Sequence, residues 1–260
     1  MPDAGVPAML ELWQSSSGAR RIRSLSAHPF RSVESQHLVS TRKLVDTDEE
    51  QRVLEELIDA QKPPRKDEAT RPLHYLLYTP FRYPPLPHGS RFGTRSEPGI
   101  WYGSLERRTV LAETAYYRLL FLEGTSAELA PLDLELTLFR VRVKTPRGVD
   151  LTRAPFAMHA DELASKSRYA VTQALGRAMR EAGVEAFRYR SARDVEGGAN
   201  LGVFSARAFS ERKPNGIESW FCRVERARVE FSEKSLFARR SLAFSREEFL
   251  VRGRLPSPAV

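Results

Sequence analysis

The chain has 260 residues, 41% of them apolar and 10% aromatic, enough for one large domain or a domain with an extension. Its formal net charge of +8 favours an anionic ligand, but the basic residues are dispersed rather than packed into a tract, so direct nucleic-acid binding is not expected. No apolar run approaches the roughly 18 residues of a membrane span, the N-terminus lacks the pattern of a secretory signal, and Cys222 as the single cysteine excludes an intramolecular disulfide, so a cytoplasmic protein without membrane contact is expected.

Residues 1–27 show little periodicity and read as a loosely attached arm. Residues 47–60, TDEEQRVLEELIDA, predict an amphipathic helix with Val53, Leu54, Leu57 and Ile58 on one side. A polar, proline-bearing linker follows at 61–67, so residues 1–70 are expected to form an N-terminal arm and small helical extension, with the main domain at 71–260. His74–Tyr78 reads as a strand ending at Thr79-Pro80. A helix is expected over 105–121, a half-buried strand over 132–143 and a helix over 161–182 stopped by Gly183. Further strands are expected over 184–189, 201–204 and 223–231. Crossovers are too irregular for a doubly wound sheet and no G-x-G-x-x-G strand–helix unit is present, so the fold class is α+β.

The segment from Phe81 to Tyr117 carries the chemistry. It holds an Arg-Tyr pair at Arg82-Tyr83, a Gly-, Pro- and aromatic-rich loop, and a helix bearing Glu113. At about 100° per residue, Glu113 lies about 140° around the helix from Arg118 and about 20° from Leu120, which puts the acid on the inward face. An inward carboxylate needs a cationic or hydrogen-bonding partner, and such groups are candidates for catalysis. The five histidines (His28, His37, His74, His88 and His159) are scattered and no Cys cluster or H-E-x-x-H spacing exists, so no metal is expected. A serine-hydrolase elbow, G-x-S-x-G, is absent too.

The same stretch resembles the RES family, named for its Arg, Glu and Ser. Phe81-Arg82-Tyr83, Gly89-Ser90-Arg91-Phe92-Gly93, Trp101-Tyr102-Gly103-Ser104 and Ala112-Glu113 fall in the family's order, and blocks at Tyr169–Gly176 and Ser191–Asp194 follow. The resemblance covers roughly 76–206. It implies an ADP-ribosyltransferase-like split β-sheet with flanking helices, degradation of NAD as substrate with no further cofactor, and a toxin paired with a helix-turn-helix antitoxin. A homo-oligomer is compatible with it. Breaking the nicotinamide–ribose bond passes through an oxocarbenium-like state, which asks for a phosphate anchor, aromatic surfaces and one carboxylate.

On that resemblance Arg82 would grip the pyrophosphate with its guanidinium fork, a structural ion pair with Glu113 being the other reading. Glu113 would stabilise the developing cation or activate the incoming nucleophile. Tyr83 and Tyr102 would offer ring faces to nicotinamide or ribose, against core packing for at least one of them. Arg91 would reach a second phosphate or sit in a plain turn, and Gln173 would orient Glu113 or the ribose or lie at the core edge. The family serine has two candidates, Ser191 and Ser167, since the slot after the aromatic Tyr169 is Ala170. The acceptor can be water, phosphate or, in a transferase, a macromolecule.

Overall fold

Apolar residues alternating along 132–140 form one inner face of the sheet, with Leu134 opposite Cys222 and Leu136 opposite Trp220 on the neighbouring strand. Against that face packs the long helix, whose Val110, Ala115, Tyr116 and Leu119 join the same buried cluster. The computed structural model describes residues 13–14, 17–35, 44–65, 67–129, 131–235 and 240–257.

The strands are β1 (Arg23–Ala27), β2 (Phe30–Glu34), β3 (Trp101–Ser104), β4 (Leu132–Arg140), β5 (Val143–Asp150), β6 (Ala186–Arg190), β7 (Ala199–Val203), β8 (Asn215–Val224), β9 (Arg228–Glu233) and β10 (Ser241–Ser245). The helices that matter are α1 (Asp48–Gln61), α2 (Tyr75–Arg82), α3 (Arg107–Glu123) and α4 (Ala170–Glu181). The sheet runs β1-β5-β6-β7-β3-β2-β4-β8-β9-β10. Among the described residues only β5 and β6 pair in parallel. At its centre β2 and β3 share one residue pair, Phe30 with Ser104, whereas β2 meets β4 over five and β3 meets β7 over four. The sheet is therefore two half-sheets joined at a single point. The α+β class stands, and so does the expectation of a split sheet.

Several expected elements differ. His74–Tyr78 is helical: His74 caps α2 by accepting from the Leu76 N–H at 3.3 Å, and Leu77 and Tyr78 are buried. A five-residue apolar run fits either period, which is why the pattern misleads. The expected strand 132–143 breaks after Arg140, where the register with β8 shifts, and the chain restarts as β5. The expected helix 161–182 is a single turn, Ala160–Leu163, followed by α4. Between them the Ser165 hydroxyl accepts from the Arg168 N–H, a local bond that competes with the helical ladder. Residues 223–231 are not one strand but the end of β8, a turn closed by Glu225 N–H on the Arg228 carbonyl, and the start of β9. Alternation survives that hairpin because Val224 and Val229 pair directly, both facing the core.

Two strands from the stretch expected as an extension belong to the sheet. β1 lines its edge against β5 and β2 lies at its centre. Trp13 is buried and stacks on Phe156 with ring centroids 6.1 Å apart. The remainder of the expected arm, residues 1–12 and 15–16, lies outside the described residues. The predicted helix at 47–60 is present as α1, and its Val53, Leu57 and Ile58 are exposed. No helix among the described residues is long and apolar enough to cross a membrane.

Candidate active site

Where the half-sheets part, a cavity of about 360 Å³ opens between β2, β3, β6, β7, α3 and the loop 86–91. Glu113 enters it from α3, half-buried, as the inward face predicts. Its Oε1 accepts from the Ser191 hydroxyl at 2.7 Å and from Asn200 Nδ2 at 2.7 Å. Both donors are themselves fixed. Ser191 Oγ accepts from the backbone N–H groups of Arg193 and Asp194, each at 3.1 Å, and Asn200 Oδ1 accepts from Ser104 Oγ at 2.7 Å. These bonds leave each side chain a single useful orientation. No described residue donates to Oε2 of Glu113.

Two guanidiniums face the cavity. Arg31 on β2 donates through Nη1 to the Tyr102 carbonyl at 2.9 Å, while its enclosed Nε has no hydrogen-bond partner among the described residues. Burial draws its pKa down to about 10, which still leaves it charged near neutral pH. Arg91 donates to the Ser165 carbonyl at 2.7 Å and lies 4.7 Å from the centre of the Tyr169 ring. The walls are aromatic: Tyr102, Tyr117, Tyr169 and Tyr189. Burial pushes the Tyr102 phenol up to about 12, so it is neutral and its hydroxyl serves structure, accepting from the Phe92 N–H and bonding Ser90.

The expected residues separate into three groups. Glu113 and Ser191 meet directly, with Arg91 and Tyr102 on the same cavity. Gln173 stands behind the loop, its Nε2 donating to the carbonyls of Ser90 (3.0 Å) and His88 (3.2 Å), and touches neither Glu113 nor the cavity. Arg82 and Tyr83 do not line the cavity. Arg82, at the end of α2, gives its Nε to the Pro63 carbonyl rather than to Glu113, and Tyr83 lies on the surface. The reason lies in α2: as a helix it carries Arg82 away along a different axis from the strand that the pattern suggested. Of the two serines, Ser191 is the one bonded to Glu113.

Arg31, Asn200, Tyr169 and Tyr189 are cavity residues that sequence reasoning missed. Arg31, in FRSVE, lay in the stretch read as an extension and carried no signal of its own. Asn200 in ANLGV had none. The loop is shaped by Gly89, whose φ of +71° and 2.3 Å approach of a built Cβ to the Gly93 carbonyl exclude a side chain. Gly176 of α4 likewise lets the helix close on Phe92.

The family model of the RES domain matches residues 62–225, more than half of the chain. The chain belongs to the RES domain family. No curated protein matches it. Among solved structures, one chain of the crystal structure of the M. tuberculosis MbcT–MbcA toxin–antitoxin complex is similar at 13% identity, over 86% of this chain and 94% of that one, with a TM-score of 0.46. The RES match begins near the end of α1 and leaves out β1 and β2, so Arg31 enters the RES cavity from outside the matched stretch. Among the described residues no group of three or more His, Cys, Asp or Glu gathers to hold a metal ion.

Proposed function

We propose that this RES-domain protein is a cytoplasmic enzyme that consumes NAD by breaking the nicotinamide–ribose bond, with water or phosphate as acceptor. The observation that carries the reading is Glu113: one carboxylate oxygen is held by Ser191 and Asn200, and the other is left for substrate. The nicotinamide leaves as a neutral ring from a cationic one, so its departure needs no proton. What the bond-breaking step needs is negative charge near the ribose as positive charge develops there. Glu113 supplies it at a fixed position, so little reorganisation accompanies the step. Arg31 and Arg91 are suited to the pyrophosphate, since both are charged and line the same cavity. The tyrosine walls suit a cationic ring before cleavage better than the neutral one after it.

A partner that covers the cavity, such as a helix-turn-helix antitoxin, belongs to the same proposal, as does action as a toxin. Incubation of purified protein with NAD, in buffer with and without phosphate, tests the reading. Free nicotinamide together with an ADP-ribose 1-phosphate product, both formed only when phosphate is present, identifies phosphorolysis; free nicotinamide with ADP-ribose in both buffers identifies hydrolysis. NAD left intact at high enzyme concentration overturns it. Radiolabel that becomes bound to macromolecules instead makes the protein an ADP-ribosyltransferase.

A further inference from the structure

A second cavity of about 360 Å³ lies at the far edge of the sheet, walled by β1, the end of β5, Arg188 of β6 and residues 153–156. It is separate from the first. Arg188 and Tyr189 are neighbours on β6 and project to opposite faces, Tyr189 into the Glu113 cavity and Arg188 into this one. Among the described residues four arginines line it, Arg21, Arg23, Arg153 and Arg188, against one carboxylate, Asp150; Arg23 also donates through Nη1 to the Arg20 and Ile22 carbonyls. Asp150 Oδ2 is shared between Arg188 (3.5 Å) and Arg153 (3.4 Å), while its Oδ1 accepts from Thr152. The Arg188 Nε is enclosed and has no hydrogen-bond partner among the described residues.

We propose that this cavity binds a small anion carrying two linked phosphates. The one carboxylate leaves an excess of three positive charges around it. A single phosphate brings about −1.5 to −2 at pH 7, so two are needed to match that excess. Guanidinium forks fit phosphate oxygens bidentately, a match that a spherical halide cannot make. The ring of Phe156 is buried and, among the described residues, no exposed aromatic lines the wall to stack on a base. The recognition is of the diphosphate itself, whether free or as the tail of a nucleotide. It does not depend on the proposed NAD chemistry.

Calorimetric titration with inorganic pyrophosphate tests it, on the native chain, on the Arg153→Gln/Arg188→Gln double variant and on Arg91→Gln in the first cavity. The expected result is saturable binding to the native protein, weakened by about tenfold or more in the double variant and retained in Arg91→Gln. Absence of binding to the native chain overturns the proposal, as does equal affinity in the double variant. Loss confined to Arg91→Gln does the same, because it places the diphosphate beside Glu113. If the double variant fails to fold, Arg153→Glu alone, at an 80% exposed side chain, gives the same reading through charge reversal. Titration with ADP separates the two sources: affinity equal to pyrophosphate identifies a nucleotide tail, and binding of pyrophosphate only identifies the free anion. In either case failure here leaves NAD turnover as an independent result.

Discussion

Ser191 and Glu113 lie 78 positions apart in the chain and meet at 2.7 Å, the serine hydroxyl donating to the carboxylate. The serine has no freedom to do otherwise, since its oxygen accepts from two backbone N–H groups and its one proton is left for the acid. The turn after β6 thus orients a carboxylate on α3.

Glu113→Gln should separate chemistry from folding. The amide oxygen can still accept from both Ser191 and Asn200, so the melting temperature should change little. The negative charge is lost, and turnover of NAD should fall by about 10²–10⁴-fold with affinity nearly kept. A variant that is destabilised but fully active per folded molecule would end the catalytic role of Glu113.

Ser191→Ala should do both kinds of damage. Two buried N–H groups lose their acceptor, which costs about 1–3 kcal/mol each, and Glu113 loses one of its two fixed donors. Chemical denaturation should show the loss of stability, and turnover should fall less than for Glu113→Gln. A Ser191→Ala protein of native stability would contradict the bonding described above.

The anchor for an anionic substrate should be Arg31 rather than Arg82. Arg31→Lys keeps the charge but not the fork, and NAD affinity should weaken by about tenfold. Arg82→Lys should leave affinity close to native, because Arg82 serves the Pro63 carbonyl outside the cavity. The reverse order, measured by equilibrium binding, would restore Arg82 as the anchor.

Much of the site was legible in the sequence, and the part that was not has a physical cause. Glu113 was placed inward by helical periodicity alone, and a seventeen-residue helix gives that period room to show. Arg91 and Tyr102 were recovered through the short motifs that carry the family resemblance, Gly89–Gly93 in the loop and Trp101–Ser104 on β3. Arg31 and Asn200 reach the cavity through strand pairing across long sequence separations, and nothing in FRSVE or ANLGV records which strand lies alongside. The same blindness made residues 1–70 look like an extension: five-residue strands are too short to declare themselves, and β2 gains its meaning only between β3 and β4.

Truncation should show how firmly the N-terminal residues belong. Deleting 1–27 removes β1 from β5 and Trp13 from Phe156, so the sheet edge and part of the core become exposed. Thermal unfolding should move to lower temperature. Trp13→Ala alone should cost about 3 kcal/mol, as for other buried aromatic truncations. A truncated protein with unchanged unfolding would show the segment to be a detachable arm after all.

Gly89→Ala should reduce activity before it reduces folding. The added methyl meets the Gly93 carbonyl at 2.3 Å in a backbone conformation that alanine avoids, and the displaced loop carries Ser90 and Arg91. Turnover should drop while the strands and helices keep their circular dichroism. A fully active variant would mean the loop does not shape the site.

The single pair that joins the half-sheets leaves Arg31 a task separate from any substrate. Beyond Phe30 and Ser104 no backbone ladder spans β2 and β3, yet the Arg31 guanidinium reaches across to the Tyr102 carbonyl. The spacing of the two strands at the mouth is thus set by a side chain, and a side chain can let go. An anion that drew Arg31 off that carbonyl would untie the two halves of the sheet at the very place where it had bound.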